Sequence, residues 1–200
     1  MLTQAAIAVY DHDFPTLAEG VVIPHGLYDI VQNIGYITLG TSHDTSEFAR
    51  DCIIYWWEHY GRHQYPHATE IVLQCDGGGS NSARTYLFKM MLEQAAQTIG
   101  LPIRIAHYPP YTSKYNPIEH RLFPHVSRAC RGIIFRSVDM VRWFMAKTTT
   151  RTGLQAHVHI IDKVYETGKK VADTYKEAMH IVFDEYLPQW NYTALPEKCV

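Results

Sequence analysis

The sequence lacks any long apolar run. No stretch approaches the roughly 18 consecutive apolar residues that a membrane-spanning helix needs, so we expect no membrane partner. The apolar stretch at residues 2–9 has no positively charged residues before it, which argues against a secretory signal. The four cysteines are widely spaced and form no C-x-x-C pair, a pattern typical of reduced thiols rather than disulfides or a zinc knuckle. We therefore expect a cytoplasmic protein.

The sequence also lacks an excess of positive charge and several catalytic motifs. The net charge of -2 argues against a protein that coats nucleic acid through bulk charge, although a local basic groove is compatible with it. Twelve histidines are present, but they are scattered and form no H-E-x-x-H zinc helix. The glycine-rich stretch matches neither a P-loop nor a dinucleotide-binding loop, so the indication of nucleotide binding is weak.

What is present is an α/β pattern of one-domain length, 200 residues, with an antiparallel pair of strands first. Gln32 and Asn33 supply a turn between the first two predicted strands. A helix is predicted to begin at an N-cap, Asp44, because Glu47 follows three residues later. The predicted strands are 26–31, 35–40, 71–75, 101–107 and 158–161, and the predicted helices are 44–60, 84–99, 116–130 and 137–147.

Asp76 stands where a buried strand is predicted to end, directly before Gly77-Gly78-Gly79. In open α/β sheets, ligands collect in the crevice beyond the carboxyl ends of the strands. The glycines let a metal ion or a phosphate approach the main chain closely. The alternative is a tight strand-to-helix turn whose aspartate only caps the next helix.

Glu119 lies in the first turn of a later predicted helix. Asn116 is the candidate N-cap of that helix and Pro117 its first residue, so Glu119 stands at the position of a capping-box carboxylate. The alternative to capping is that Glu119 meets Asp76 at one edge of the sheet. Two carboxylates there would suit Mg²⁺ or Mn²⁺ and metal-dependent phosphoryl transfer.

A polar and aromatic segment precedes that helix. Lys114, the hydroxyls beside it, and His120 and Arg121 in the helix suit phosphate oxygens. Exposed tyrosine rings in the segment, such as Tyr115, suit stacking on bases. The alternative is a solvated loop whose aromatic rings fold onto the core.

The pair His43-Asp44 invites comparison with the metal-binding pair of phosphohydrolases. The other ligands that this class needs have no clear counterparts in the sequence. The sequence therefore favours Asp44 as a helix cap.

Many segments, in order, carry a resemblance that runs from about residue 11 to the C-terminus. They are Asp13-Phe14-Pro15, Ala18-Glu19-Gly20, Ile23-Pro24-His25-Gly26, Gly40-Thr41, His43-Asp44-Thr45, Cys75-Asp76-Gly77-Gly78-Gly79-Ser80-Asn81, His107-Tyr108-Pro109-Pro110, Thr112-Ser113-Lys114, Ile118-Glu119-His120-Arg121-Leu122-Phe123, Thr148-Thr149-Thr150-Arg151-Thr152-Gly153-Leu154 and Trp190-Asn191-Tyr192. Together they resemble the catalytic domain of ISAzo-type transposases of bacterial insertion sequences.

The resemblance implies a ribonuclease H-like fold, a mixed sheet with helices on both faces, and a D-D-E triad. It implies that the domain cuts and joins DNA with Mg²⁺ or Mn²⁺ and associates with the nucleoid. By this resemblance Asp76 is the second acidic residue of the triad and Glu119 the third. Transposon-end DNA is the expected partner, and a homo-oligomer is possible. The residues expected to contact DNA are Lys114, Tyr115, Asn116, His120 and Arg121.

The sequence departs from this family at its N-terminal end. No residue before Asp13 reproduces the motif of the first aspartate, and the expected N-terminal DNA-binding region is absent. Asp11 and Asp13 follow an apolar run and are the only candidates to imitate that aspartate. We therefore expect residues 1–153 to form a catalytic domain without its first strand, extended by residues 154–200 and inactive alone.

Two other functions remain open. In the first, the chain is a catalytically dead remnant that serves as a DNA-binding or oligomerising module. In the second, it is a metal hydrolase of another class that uses His43 and Asp44. The remnant would retain DNA without metal-dependent cleavage. The hydrolase would bind a transition metal through His43 and tolerate the loss of Glu119.

Overall fold

A computed structural model describes residues 20–78, 81–109, 111–172 and 174–197. The strands are β1 (Ile23–Asp29), β2 (Ile34–Gly40), β3 (Ile71–Cys75), β4 (Ile103–His107), β5 (Gln155–Ile161), β6 (Ile181–Phe183) and β7 (Asn191–Ala194). The helices are α1 (Ser46–Trp56), α2 (Arg62–Gln64), α3 (Tyr86–Ile99), α4 (Pro117–Arg121), α5 (Phe123–Cys130), α6 (Val138–Met145) and α7 (Tyr175–Ala178). A π-helical segment, Trp57–Gly61, joins α1 to α2, and a 3₁₀ turn, Ser113–Tyr115, precedes α4.

The strands confirm a mixed α/β class, but within the described ranges they form two sheets rather than the single sheet expected. The first sheet has the order β1-β2-β5, in which β1 and β2 are antiparallel and β5 is parallel to β2. The second has the order β3-β4-β7-β6, in which β3 and β4 are parallel and β7 is antiparallel to both of its neighbours.

The predicted hairpin of β1 and β2 is confirmed, with a longer turn than the two residues expected. Residues 30–33 form the turn, and Asn33 adopts a φ of 57°. The Asp29 carboxylate accepts hydrogen bonds from the main-chain N–H groups of Val31 and Gln32, both at 2.9 Å. A short polar side chain bonding to the backbone two and three residues ahead is what closes such a turn.

Helices cover both faces of the first sheet, because successive side chains along a strand point to opposite faces. Ile37 and Leu39 of β2 are buried against the layer formed by α4, α5 and α6. A Cβ built on Gly35 would lie 2.3 Å from Cδ1 of Leu122, so that layer approaches the strand closely. On the other face, Gly40 lies against the ring of Phe48 in α1.

The second sheet is covered on one face by α1 and α3. Ile103 and Ile105 of β4 are completely buried in a cluster with Leu92 of α3 and Ile53 of α1. The opposite face of this sheet carries exposed side chains such as Val72, which is 56% exposed. Within the described residues no helix is long and apolar enough to cross a membrane.

The N-cap of α1 corrects one prediction. Thr45, not Asp44, is the cap: its Oγ1 accepts a hydrogen bond from the N–H of Phe48 at 3.2 Å. Thr45 has the extended backbone that an N-cap needs, so the helix begins one residue later than predicted. The predicted continuation to Tyr60 is π-helical from Trp57, and Gly61 within it leaves space for the rings of Trp56 and Trp57.

The predicted helix from Asn116 to Cys130 is broken in two at Leu122. Pro124 has no N–H to donate to the carbonyl of His120, and its ring clashes with that carbonyl in a continuous helix. Leu122 therefore ends α4 with φ -118° and is fully buried. The predicted cap is confirmed, because Oδ1 of Asn116 accepts a hydrogen bond from the N–H of Ile118 at 3.4 Å.

Candidate active site

Asp76 follows β3 directly, as predicted, and stands beside the end of the parallel strand β4. Its main-chain oxygen accepts a hydrogen bond from Nδ1 of His107 at 3.0 Å, and Tyr108 N–H donates to the oxygen of Cys75 at 2.8 Å. The Asp76 residue is exposed, and its carboxylate has no hydrogen bond or ion pair with another described residue. The backbone of Asp76 is thus held in place while its side chain is exposed.

His107 is the residue that fixes this turn, and sequence reasoning missed its role. It is 6% exposed, and its Nε2 lies 2.9 Å from the hydroxyl of Tyr192 in β7. In a neutral ring whose Nδ1 donates to the carbonyl of Asp76, Nε2 accepts from the hydroxyl of Tyr192. Burial lowers the pKa of His107 and raises that of Tyr192, so both groups stay uncharged.

The C-terminal segment that resembled the family at Trp190-Asn191-Tyr192 supports the same turn. The oxygen of Trp190 accepts a hydrogen bond from the N–H of His107 at 2.9 Å. A Cβ on Gly77 would lie 3.3 Å from Cζ3 of the Trp190 ring, so the glycine permits a close approach. The resemblance marked both segments, but only the fold shows that they are in contact.

Lys89 is a second buried polar group near this turn that the sequence did not reveal. It is 6% exposed, and its Nζ donates a hydrogen bond to the oxygen of Ala83 at 2.6 Å. Nζ also lies 4.7 Å from the centroid of the Tyr192 ring. Burial lowers the pKa of this lysine. Lys89 therefore ties the chain before α3 to the Tyr192 ring that contacts His107.

Glu119 lies in α4, which packs on the first sheet. A Cβ on Gly26 of β1 would lie 2.7 Å from Phe123 and 3.4 Å from Ile118, so the glycine lets the helix layer approach the hairpin. Glu119 is exposed, and within the described residues its carboxylate makes no hydrogen bond or ion pair. The capping-box alternative therefore has no hydrogen bond to the N–H of Asn116 to support it.

The predicted DNA-contacting residues lie mostly at the surface. Lys114, His120 and Arg121 are exposed, and Nζ of Lys114 lies 5.0 Å from the centroid of the Tyr115 ring. Tyr115 is 65% exposed, and Nε2 of His120 donates to the oxygen of Lys114 at 2.7 Å. Asn116 differs: it is 7% exposed, and its side-chain oxygen caps α4.

The family model described as the Rhodopirellula transposase DDE domain matches residues 1–196. This chain belongs to that family of transposase DDE domains. No curated protein matches the chain, and no solved structure matches it.

The metal fit of this DDE domain rests on the chemistry of two exposed carboxylates. Asp76 belongs to the edge of the second sheet and Glu119 to the helix layer of the first, and both present hard oxygens that suit Mg²⁺ or Mn²⁺. No group of three His, Cys, Asp or Glu residues that could hold a metal occurs in the described part of the DDE domain. Asp11 and Asp13, the candidates for a first aspartate, lie outside the described residues.

Within the part of the chain that the structure describes, the surroundings of His43 and Asp44 do not favour a hydrolase of another class. Both residues are exposed in the segment between β2 and α1. Among the described residues of the transposase domain, no group of three His, Cys, Asp or Glu side chains that could hold a metal includes this pair.

Proposed function

We propose that this transposase domain has a ribonuclease H-like fold and carries out metal-dependent cleavage and transfer of DNA strands. Asp76 and Glu119 are the proposed ligands of Mg²⁺ or Mn²⁺. The observation that carries the proposal is the state of Asp76: a buried histidine holds its backbone at the end of a parallel strand pair, while its carboxylate is exposed and makes no hydrogen bond or ion pair with a described residue.

The order of the elements supports the proposed fold. An antiparallel pair, β1 and β2, precedes the parallel pair β3 and β4, and helices lie on both faces of the first sheet. This order is the one that the sequence resemblance implies. The ribonuclease H-like assignment further requires that the two sheets together hold the carboxylates of Asp76 and Glu119 at one site.

The proposed role of each residue follows from the chemistry of its side chain. A bound divalent ion supplies charge stabilisation to the attacking and leaving oxygens of an in-line displacement at phosphorus. Asp76 and Glu119 supply its hard oxygen ligands, and Lys114 and Arg121 bind phosphate oxygens. Tyr115, exposed beside Lys114, offers a ring to a base.

The test is Mn²⁺ titration calorimetry on the full chain with Asp76→Asn and Glu119→Gln. We expect each substitution to raise the Kd for Mn²⁺ by about tenfold or more, since each removes one of few charged ligands. Exposed carboxylates elsewhere give matched controls, Glu58→Gln and Asp162→Asn, which should leave the Kd unchanged. An equal Mn²⁺ affinity in the wild type and the Asp76→Asn variant would refute the assignment.

A second candidate function is a catalytically inactive module that binds DNA or oligomerises. The absence of a three-carboxylate group among the described residues favours it. Such a module retains supercoiled and linear DNA in EDTA, and Mn²⁺ adds no nicking of the supercoiled form. Nicking that depends on Mn²⁺ and on Glu119 would exclude this candidate, and sedimentation velocity would report any oligomer.

A further inference from the structure

The charge of this protein is unevenly distributed along its sequence. Residues 111–153 contain eight of the 18 lysines and arginines but only two of the 20 aspartates and glutamates. The rest of the chain is correspondingly acidic, which the overall charge of -2 conceals. All eight cations of this segment are exposed: Lys114, Arg121, Arg128, Arg131, Arg136, Arg142, Lys147 and Arg151.

Several of these exposed side chains lie in or directly beside α5 and α6, the helices that cover the first sheet. Val126 of α5 and Val141 of α6 point inward and are buried. Arg128 is exposed near the C-terminal end of α5 and Arg131 directly follows that helix, while Trp143 is exposed near the end of α6 and Lys147 lies two residues beyond it. Together with Arg136, which connects the two helices, these four residues form what we call the α5–α6 surface.

Most of the cations on this surface have no acidic partner. Arg131 and Arg136 make no ion pair with a described carboxylate, and the Arg128 guanidinium lies 2.7 Å from Nδ1 of His125, a neutral acceptor. Like charges left unneutralised repel one another and disfavour the compact state, while they attract a polyanion.

Cations on the side of α1 are neutralised instead. Arg50 and Lys163 each lie 2.7 Å from the carboxylate of Asp51, and Lys169 lies 3.1 Å from that of Glu47. The α5–α6 surface therefore differs from the side of α1, where acidic side chains neutralise these cations.

Trp143 gives the surface a ring as well as charge. It is 56% exposed, and Nζ of Lys147 lies 3.0 Å from the centroid of its ring. Phe135, on the segment between α5 and α6, is 39% exposed. Cations interleaved with exposed rings suit single-stranded nucleic acid, because phosphates pair with the charges while unpaired bases stack on the rings.

We infer that the α5–α6 surface binds single-stranded DNA, with the backbone on Arg128, Arg131 and Arg136 and an unpaired base on Trp143. The inference rests on the proposed function, because α5 directly follows α4, the helix that carries Glu119. A DNA strand bound on this surface would then run towards Glu119. It extends the DNA contacts beyond the segment before α4 by two helices. Binding itself requires neither metal nor Asp76.

The first test measures the salt dependence of binding to a labelled oligonucleotide by fluorescence anisotropy in EDTA. Replacing Arg128, Arg131 and Arg136 by glutamine should lower the slope of log Kd against log salt by about 2, since each phosphate contact to a single strand contributes about 0.7. Between about 50 and 200 mM salt the wild type should then lose roughly 20-fold more affinity than the variant. The control variant, with Arg62, Lys169 and Lys170 replaced by glutamine, changes the net charge equally and should keep the wild-type slope.

The second test uses the fluorescence of Trp143, the one tryptophan that is mostly exposed; Trp56 and Trp190 are half-buried and Trp57 is buried. If a base stacks on Trp143, single-stranded DNA should quench the tryptophan fluorescence, and Trp143→Phe should abolish this quenching. Duplex DNA and heparin should quench the fluorescence less. Any of three results would overturn the inference. They are equal quenching by heparin, an unchanged salt slope in the arginine variant, and loss of the slope in the control variant. Because both tests run in EDTA, Asp76→Asn should leave them unchanged, which separates this surface from the metal site.

Discussion

The contact between Gly35 and Leu122 joins the β1–β2 hairpin to the helices beside Glu119, and we expect substitutions at these two residues to be coupled. Leu122 is fully buried, and the three side-chain atoms nearest to a Cβ built on Gly35 all belong to it. Leu122→Ala removes three buried carbons, which is about 2.4 kcal/mol of transfer free energy at roughly 0.8 kcal/mol each. The remaining cavity brings the expected loss of unfolding free energy to about 3–4 kcal/mol.

Gly35→Ala alone forces a methyl group to within 2.3 Å of Cδ1 of Leu122. Overpacking of this kind costs about 1–3 kcal/mol. In the double variant the new methyl occupies space that the leucine has vacated. The combined loss should therefore be smaller than the sum of the single losses by about 2 kcal/mol.

The assay is urea unfolding at 25 °C, followed by far-ultraviolet circular dichroism, for all four proteins of the cycle. Leu92→Ala provides the control, because Leu92 is equally buried but belongs to the cluster under the second sheet. Gly35→Ala and Leu92→Ala should add to within about 0.5 kcal/mol. Additive losses for Gly35→Ala with Leu122→Ala would refute the packing argument.

Two further predictions concern the cap of α1 and the buried histidine. Thr45→Ala should lower the unfolding free energy by about 1 kcal/mol, because it removes the acceptor of the Phe48 N–H. Asp44→Ala should change the unfolding free energy by a few tenths of a kcal/mol at most. A larger loss for Asp44→Ala than for Thr45→Ala in urea denaturation would contradict the assignment of the cap. Because burial lowers the pKa of His107, its neutral form contributes stability above the unfolded value of about 6.5, and this contribution is lost as the pH falls towards the lower folded pKa. Thermal melts between pH 7 and 5 should therefore show a shallower decline for His107→Gln than for the wild type, and the exposed His120→Gln should follow the wild type.

Local signals predicted the elements around the candidate site well. The apolar run before Asp76 is β3, Gly100 ends α3 with a φ of 79°, and Asn116 caps α4. Each of these features depends on residues within a few positions of one another, where side-chain type determines the backbone conformation directly. The break at Leu122 was also local, and the signal for it was Pro124.

Contacts between distant parts of the chain were not predictable in this way. β7 inserts between β4 and β6, and its four residues carry no strand pattern of their own that marks a partner. The hydrogen bond between His107 and Tyr192 joins residues 85 positions apart. A single sequence shows that both residues exist, but not that a sheet brings them together behind Asp76.

Helix α1 contributes side chains to two separate hydrophobic clusters: Phe48 and Cys52 pack beside the first sheet with Tyr165, and Ile53 packs beneath the second. If either sheet lost its structure, this helix would expose apolar surface that the other sheet cannot cover. The two halves should therefore melt in one cooperative transition rather than in two. A ligand that binds only one sheet would then raise the melting temperature of the whole domain.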